Sequence, residues 1–273
     1  MPARTSAGPA LPGDYHVHTV WSDGEGSVED CVRRAAELGL PEIAFAEHFS
    51  PAPGPDDDWW LRPEQLGGYV AEVRAAAARH ADVKVLLGVE AEYVGGQEGE
   101  LESFLSAWPF EVVVLGIHEV DGFVFDDPAL REDVHWADPD RLLSAYYHTV
   151  RRAAEWGRFD ILAHIDYIGL WGHRPGPAVL PEIEAALDAL AASGAALELN
   201  TDRVSDPAGV MYPSPAILRA ARVRGIPLTI DSDAHEAEHV GRFWDEAIAM
   251  AWEAGYRETL RLSDRELVPL PDV

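Results

Sequence analysis

The segment DYHVHTVWSDG, residues 14 to 24, sets two histidines one residue apart with an aspartate on either side. In an extended strand the side chains alternate between faces, so Asp14, His16 and His18 point one way and Tyr15 and Val17 the other. Two imidazoles on one face converge on a point, as metal ligands must. Taken alone, an HxH pair equally describes two surface or hydrogen-bonded histidines, so its meaning depends on whether other donors reach the same place. Such donors recur along the chain: His48 in AFAEHFS, Glu90 in LLGVEAEY, His118 in VVLGIHEV, His164 in ILAHIDY, and Asp233 with His235 in TIDSDAH. The segment LELNTD adds Asn200 and Thr201.

Six of the 11 histidines sit at the C-terminal ends of short apolar runs, a bias that chance placement explains poorly. The others, His80, His135, His148, His173 and His239, fall in helical or loop stretches and read as surface residues, with His173 as the exception to watch. Six imidazoles with Asp23, Glu90 and Asp233 make nine groups. That is too many for one ion, because zinc takes about four ligands and a catalytic site leaves one position open. Two or three metals are needed, and nitrogen and carboxylate donors without thiolate suit Zn²⁺, Fe²⁺ or Mn²⁺ alike. Asp23 also reads as a turn residue before Gly24.

Positioning these groups is the work of a regular alternation. Apolar, β-branched runs near 14 to 19, 43 to 46, 83 to 89, 111 to 117, 159 to 163, 195 to 199 and 226 to 230 predict strands. Helical spacing separates them at about 27 to 38, 63 to 80, 98 to 107, 138 to 156, 179 to 193, 214 to 224 and 242 to 254. Ser27, Asp138 and Ser214 stand where helix N-caps are expected, and Gly39, Gly157, Gly194 and Gly225 follow helix ends. Alternating βα units imply parallel strands covered by helices. Reactive groups at nearly every strand's C-terminal end favour a closed barrel over an open sheet, because barrels gather their sites on that face. Residues 14–273 read as one barrel domain, preceded by a disordered arm over residues 1–13.

Composition narrows the partners. Against 48 Asp and Glu stand only 21 Lys and Arg, and the resulting formal charge of −27 repels nucleic acid and anionic membrane surfaces. A single cysteine, Cys31, excludes a disulfide framework or a thiolate cluster within the chain and reads as a small buried apolar residue. No apolar run reaches about 18 residues and the first 13 lack a secretory core, which points to a cytoplasmic protein, monomeric or a small homo-oligomer.

The set HVH…SDG, EH, GVEAE, GIH, AHID and SDAH, in this order across residues 14 to 235, resembles the PHP family, named for its polymerase-associated and histidinol-phosphatase members. The resemblance implies a distorted (β/α)7 TIM-like barrel, the PHP fold, with a trinuclear centre of three divalent ions. Carried over by position, His16, His18, Glu90 and Asp233 hold one ion; Glu90 as a bridge, with His118 and His164, the second; Asp23, His48 and His235 the third. HEVDGFVFDDP, HIDYIGLWGHRP and LELNT…YPSPAILRAARVRGIPLTIDSDAH are most similar to stand-alone histidinol-phosphate phosphatases. The implied activity is hydrolysis of L-histidinol phosphate in histidine biosynthesis by a metal-bound hydroxide, with another small phosphomonoester or phosphotyrosine as the alternative substrate.

Three divalent ions bring six positive charges and Asp23, Glu90 and Asp233 remove three, so the centre stays net positive inside an acidic protein. Arg174 and Arg203, with Asn200, are candidates for the phosphate. Asp126, with Asp121 and Asp127, is a candidate for the cationic end of the substrate. In the family NTSGLRK is usual where this chain has the shorter NTDRV, and glycine is usual where it has Asp231 before SDAH. Asp14 and Asp231 share a face with the histidines and are candidates to orient their rings. The Pro- and Asp-rich loop through Asp56–Trp60 reads either as a lid whose Trp59 or Trp60 stacks on an imidazole, or as an anchor at a helix start.

Overall fold

The computed structural model describes residues 11–51, 53, 59–202 and 210–272. Seven parallel strands form the barrel: β1 (Asp14–Val17), β2 (Glu42–Phe45), β3 (Lys84–Glu92), β4 (Val112–Gly116), β5 (Ile161–Leu162), β6 (Ala196–Asn200) and β7 (Leu228–Asp231). Each pairs with its neighbour in sequence, as in the registers Ile43↔Val85 and Val114↔Ile161. Helices α1 (Val28–Leu38), α2 (Leu66–Arg79), α3 (Glu98–Ala107), α4 (Pro139–Trp156), α5 (Leu180–Ser193), α6 (Pro215–Val223) and α7 (Trp244–Ala254) follow the strands in turn. The expected TIM-like barrel is therefore present, with helix and strand boundaries close to those the periodicity predicts.

Local chemistry explains the boundaries. Ser27 accepts from Asp30 N while Asp30 reaches back to Ser27 N, a capping box that starts α1, and Gly39 at φ 74° ends it. Asp138 accepts from Arg141 N ahead of Pro139, and Gly157 at φ 66° closes α4. Ser214 precedes α6 but its side chain makes no capping hydrogen bond, contrary to expectation; instead its N–H donates to Asp166 Oδ2 at 2.8 Å.

Alternation sorts the strand residues. Ala44, Leu86, Val112, Val114, Ile161 and Ala196 pack inside the barrel, whereas Phe45, Leu87, Leu115, Leu162 and Leu197 join the larger core beneath the helices. Cys31 is fully buried in that outer core, and Leu11 already packs against it. Residues 1–10 of the expected arm lie outside the described residues.

Two features of the barrel's closure were not foreseen. First, β1 and β7 meet through one parallel bridge, Val17↔Ala234, so the ladder does not close the barrel by itself. Second, an antiparallel hairpin, Glu258–Arg261 with Glu266–Pro269, follows α7 and inserts Leu260 and Leu262 among the inner barrel residues. Leu262 N donates to Tyr15 Oη and Tyr15 Oη donates to Glu42 Oε2 at 2.8 Å, so the hairpin stoppers the mouth where the strands begin. Among the described residues no helix is long and apolar enough to cross a membrane.

Candidate metal centre

The opposite mouth is polar. His16 and His18 leave β1 fully buried. The chain then turns back, with Gly24 N donating to Thr19 O at 2.9 Å. A Cβ on Gly24 would lie within 2.7 Å of the His18 and Thr19 backbone, so glycine is what lets the turn close and return Asp23 towards His18. Asp23 Oδ1 lies 3.6 Å from His48 Nε2 and 4.0 Å from His18 Nδ1, and Oδ2 lies 3.3 Å from His235 Nε2. The turn and the approach to the imidazoles are thus both real. On β4, Gly116 gives room of the same kind: a Cβ there would stand 2.5 Å from Glu90 Oε1 and 2.7 Å from His118 Cε1.

Three overlapping sets of donor atoms result, each with its atoms within 4.8 Å of one another: His18, Asp23, His48 and His235; His16, His18 and Glu90; Glu90, His118 and His164. Glu90 is shared by two sets. His18 is shared as well, its ring lying 4.2 Å from that of His48 and 4.4 Å from that of His235, although the resemblance assigned it to one ion only. Asp233 joins the middle set, with Oδ1 3.1 Å from His18 Nε2 and 3.6 Å from His16 Nε2. All nine expected donors therefore meet at one rim. His164 reaches it against the strand's alternation: Ala163 packs inside the barrel and Leu162 outside, and a backbone φ of 25° turns the His164 side chain inward.

Two buried carboxylates hold imidazoles and a third holds the turn that carries Asp23, and sequence reasoning missed all three. Glu198 Oε1 meets His16 Nδ1 at 2.6 Å, and its Oε2 accepts from His164 N at 2.9 Å. Glu92 Oε2 meets His118 Nδ1 at 2.6 Å. Glu47, beside His48, accepts from Thr19 Oγ1 at 2.6 Å and Ser22 Oγ at 2.5 Å, which fixes the turn carrying Asp23. The signal for Glu92 and Glu198 was their parity: each stands on the inward face of an apolar strand, two residues from another inward group. Asp14 and Asp231, the expected ring-orienting residues, have other partners. Asp14 accepts from Ser232 N and Gly241 N, both at 3.0 Å, and Asp231 accepts from Tyr15 N at 2.7 Å. They latch the β1–β7 seam, where main-chain pairing is sparse, instead of touching an imidazole.

Electrostatics suits cations. Burial, with His48 and His235 close by, pushes His18 down to about 3, leaving a neutral ring with a free lone pair. Burial opposes charge on His118, but Glu92, Asp126 and Glu90 carry it up to about 10. His235 rises to about 9 against burial, through Asp23 and Asp233. Burial likewise opposes ionisation of Glu90 and Asp233, yet His48 and His16 around the first and His16 and His18 around the second hold both well below the ordinary carboxylate range. His16 Nε2, both nitrogens of His18 and His164 Nδ1 are buried without a partner in hydrogen-bonding geometry, and the buried Glu90 oxygens meet only imidazoles, Oε2 at 2.6 Å from His48 Nδ1 and Oε1 at 3.4 Å from His164 Nε2. Such orphaned donors are costly unless something binds them, and neutral imidazole with carboxylate is the donor chemistry of divalent zinc, iron or manganese. The residues fit the group.

The donors line a cavity of about 260 Å³ whose walls include Trp59, Asp126, Tyr167, Asn200, Asp202 and Tyr212. Asp126 is thus at the cavity, whereas Asp127 caps the 3₁₀ turn Pro128–Leu130 and Asp121 sits in a turn at φ 53°. Asn200, in the cavity wall, donates its amide to Glu198 Oε2 and Asp233 Oδ2, both at 3.0 Å, and so braces the donors. Arg174 is exposed and lines a neighbouring cavity with Asp166 and Tyr212, the last of which lines the donor cavity as well. Arg203 and residues 56–58 of the Trp loop lie outside the described residues. Trp59 and Trp60 stack at 3.7 Å and stand edge-on to His48 at 5.1 and 5.8 Å. His173 stacks on Trp136 at 4.3 Å, away from the donors.

Comparison with known proteins agrees with this geometry. The PHP domain model matches residues 14–202 and a PHP-associated model matches residues 216–250. A probable histidinol-phosphatase of Deinococcus radiodurans is 32% identical over 259 residues, covering 94% of this chain and 98% of that protein. The histidinol-phosphatase of Lactococcus lactis subsp. lactis is 28% identical, covering 93% and 95%. Among solved structures, histidinol phosphate phosphatase from Lactococcus lactis, complexed with zinc, L-histidinol and phosphate, superposes with a TM-score of 0.78 at 23% identity, covering 94% of this chain and 99% of that one.

Proposed function

This chain belongs to the PHP family, and from that membership we propose that it is a hydrolase of phosphomonoesters whose substrate is L-histidinol phosphate. The observation that supports the reading most is the convergence of three overlapping donor sets on one cavity at the C-terminal rim of the barrel. We assign three divalent ions to it. Asp23, His48 and His235 serve one; His16, His18, Glu90 and Asp233 another; Glu90, His118 and His164 the third. Bound there, divalent cations supply the charge that draws phosphoryl oxygens and the acidity that makes water a nucleophile near neutral pH.

The chain's own residues do the rest. Glu90, low in pKa and shared between two donor sets, would offer a negative charge to the cations of both. Glu92 and Glu198 accept from the Nδ1 side of His118 and His16, which fixes the tautomers and leaves the other nitrogens for the ions. Asp126 gives the cavity wall an acidic side that favours the amine and imidazole of histidinol, and Trp59, Tyr167 and Tyr212 offer ring faces. These walls leave the phosphate to the cations.

The test is phosphate release by metal-defined protein offered histidinol phosphate beside phosphotyrosine and several other small phosphomonoesters. Histidinol phosphate should have the highest kcat/KM, and chelation should abolish turnover. A strong preference for another ester overturns the substrate, and full activity without metal overturns the chemistry.

A further inference from the structure

We infer that Glu198 is a positioning residue that couples two of the cation sites, so that one carboxylate which binds no ion sets the affinity for a pair of them. The inference rests on the metal centre proposed above. Strand β6 differs from the other six barrel strands: among the described residues no member of the three donor sets leaves its end, yet it places Glu198, fully buried, on the inward face between Ala196 and Asn200. A lone carboxylate in such a place is costly unless its oxygens are bound.

Each oxygen is used, and each reaches a different donor set. Oε1 lies 2.6 Å from His16 Nδ1, leaving His16 Nε2 on the side of Glu90 and Asp233 at 3.3 and 3.6 Å. Oε2 accepts the His164 N–H at 2.9 Å, and that residue carries the unusual φ of 25° that swings its ring into the set with Glu90 and His118. A non-glycine residue in this backbone region is strained and persists only when its surroundings hold it. Oε2 also accepts from Asn200 Nδ2, which reaches Asp233 Oδ2 as well. One carboxylate thus fixes the ring of one set's donor, the backbone of another's, and through Asn200 a third ligand. Glu92, by contrast, touches His118 alone among the donors, through its ring and its backbone N–H.

That contrast provides the test. Apo-protein is titrated with Co²⁺, read by visible absorption and by elemental stoichiometry, for wild type, Glu198→Gln and Glu92→Gln. Glutamine keeps the size of Glu198 but replaces one accepting oxygen with a donor, so it cannot serve all three partners. Outer hydrogen bonds of this kind are worth about 10–100-fold in metal affinity. Glu198→Gln should weaken two ions by that factor and spare the one at Asp23, His48 and His235, while Glu92→Gln should weaken one. If Glu198→Gln titrates like wild type, or loses a single ion as Glu92→Gln does, the coupling is wrong. Should Glu198→Gln not fold, Glu198→Asp, which keeps the charge on a shorter arm, must show the same two-ion weakening, and a wild-type titration then refutes the proposal. Failure of wild type itself to take up Co²⁺ would condemn the metal centre, a distinguishable result.

Discussion

Trp59 and Trp60 are chemically identical neighbours with different tasks. Trp59 lines the metal cavity, and Trp60, 7% exposed, is packed behind it. The two readings of this loop, a substrate-facing wall and a structural anchor, are therefore divided between two residues. Replacing Trp59 by Ala removes a ring face worth about 0.5–1.5 kcal/mol to an aromatic partner, so KM for histidinol phosphate should rise about 2- to 10-fold with little change in kcat. Trp60→Ala should leave KM alone and cost about 3–5 kcal/mol of stability by opening a cavity. Steady-state kinetics and denaturant unfolding of the two variants check both halves, and a reversal of the pattern would mean that Trp60 faces the substrate. Asp23 shows a similar economy: the same aspartate closes a turn before Gly24 and presents its carboxylate to His48 and His235.

Among the elements, the join with the least main-chain ladder is the seam between β1 and β7. Its main-chain pairing amounts to His18 N to Ala234 O at 2.9 Å and Ala234 N to His16 O at 3.3 Å, and the carboxylates of Asp14 and Asp231 supply further acceptors across it. Asp14→Ala strands two N–H groups, at about 1–3 kcal/mol each, and should lower the urea midpoint at unchanged m. Since Asp14 touches no imidazole, metal affinity of the folded variant should change by less than the roughly 10-fold expected of a ring-orienting residue; a larger loss would restore Asp14 to that role. The seam was illegible in the sequence because its partners are over 200 residues apart and no local period encodes a side chain accepting from a distant backbone. The helices were legible because their signals are local: Ser27 with Asp30, Asp138 with Pro139, glycine after the last turn. So were the nine donors, which repeat one rule, a reactive residue where an apolar run ends. The C-terminal hairpin did leave a trace, the alternation in ETLRL and ELVPL around a polar turn, but it lies beyond the seventh βα unit, where the barrel pattern no longer asks for a strand.

At the scale of the whole molecule the barrel has two unlike ends held by different forces. One mouth gathers buried imidazoles and carboxylates whose mutual charges call for cations; the other is stoppered by Leu260 and Leu262 of the hairpin against Leu86, Val112 and Ile161. Cation binding stabilises only the folded chain, by about 2.7 kcal/mol for each ion present at 100 times its Kd, and at this size each kcal/mol moves Tm by about 2–4 °C. Chelation should therefore lower Tm by roughly 5–10 °C per ion lost. Leu260→Ala removes apolar packing from the other end and should cost about 2–5 kcal/mol with metal stoichiometry unchanged. Because the two perturbations share no contacts, their effects should add to within about 0.5 kcal/mol when chelation is applied to the Leu260→Ala variant. Calorimetry of the four species, wild type and variant with and without metal, measures the sum directly. A shortfall or excess well beyond that margin would mean that the packed barrel interior transmits strain from stopper to rim, and the two ends would then have to be treated as one cooperative unit.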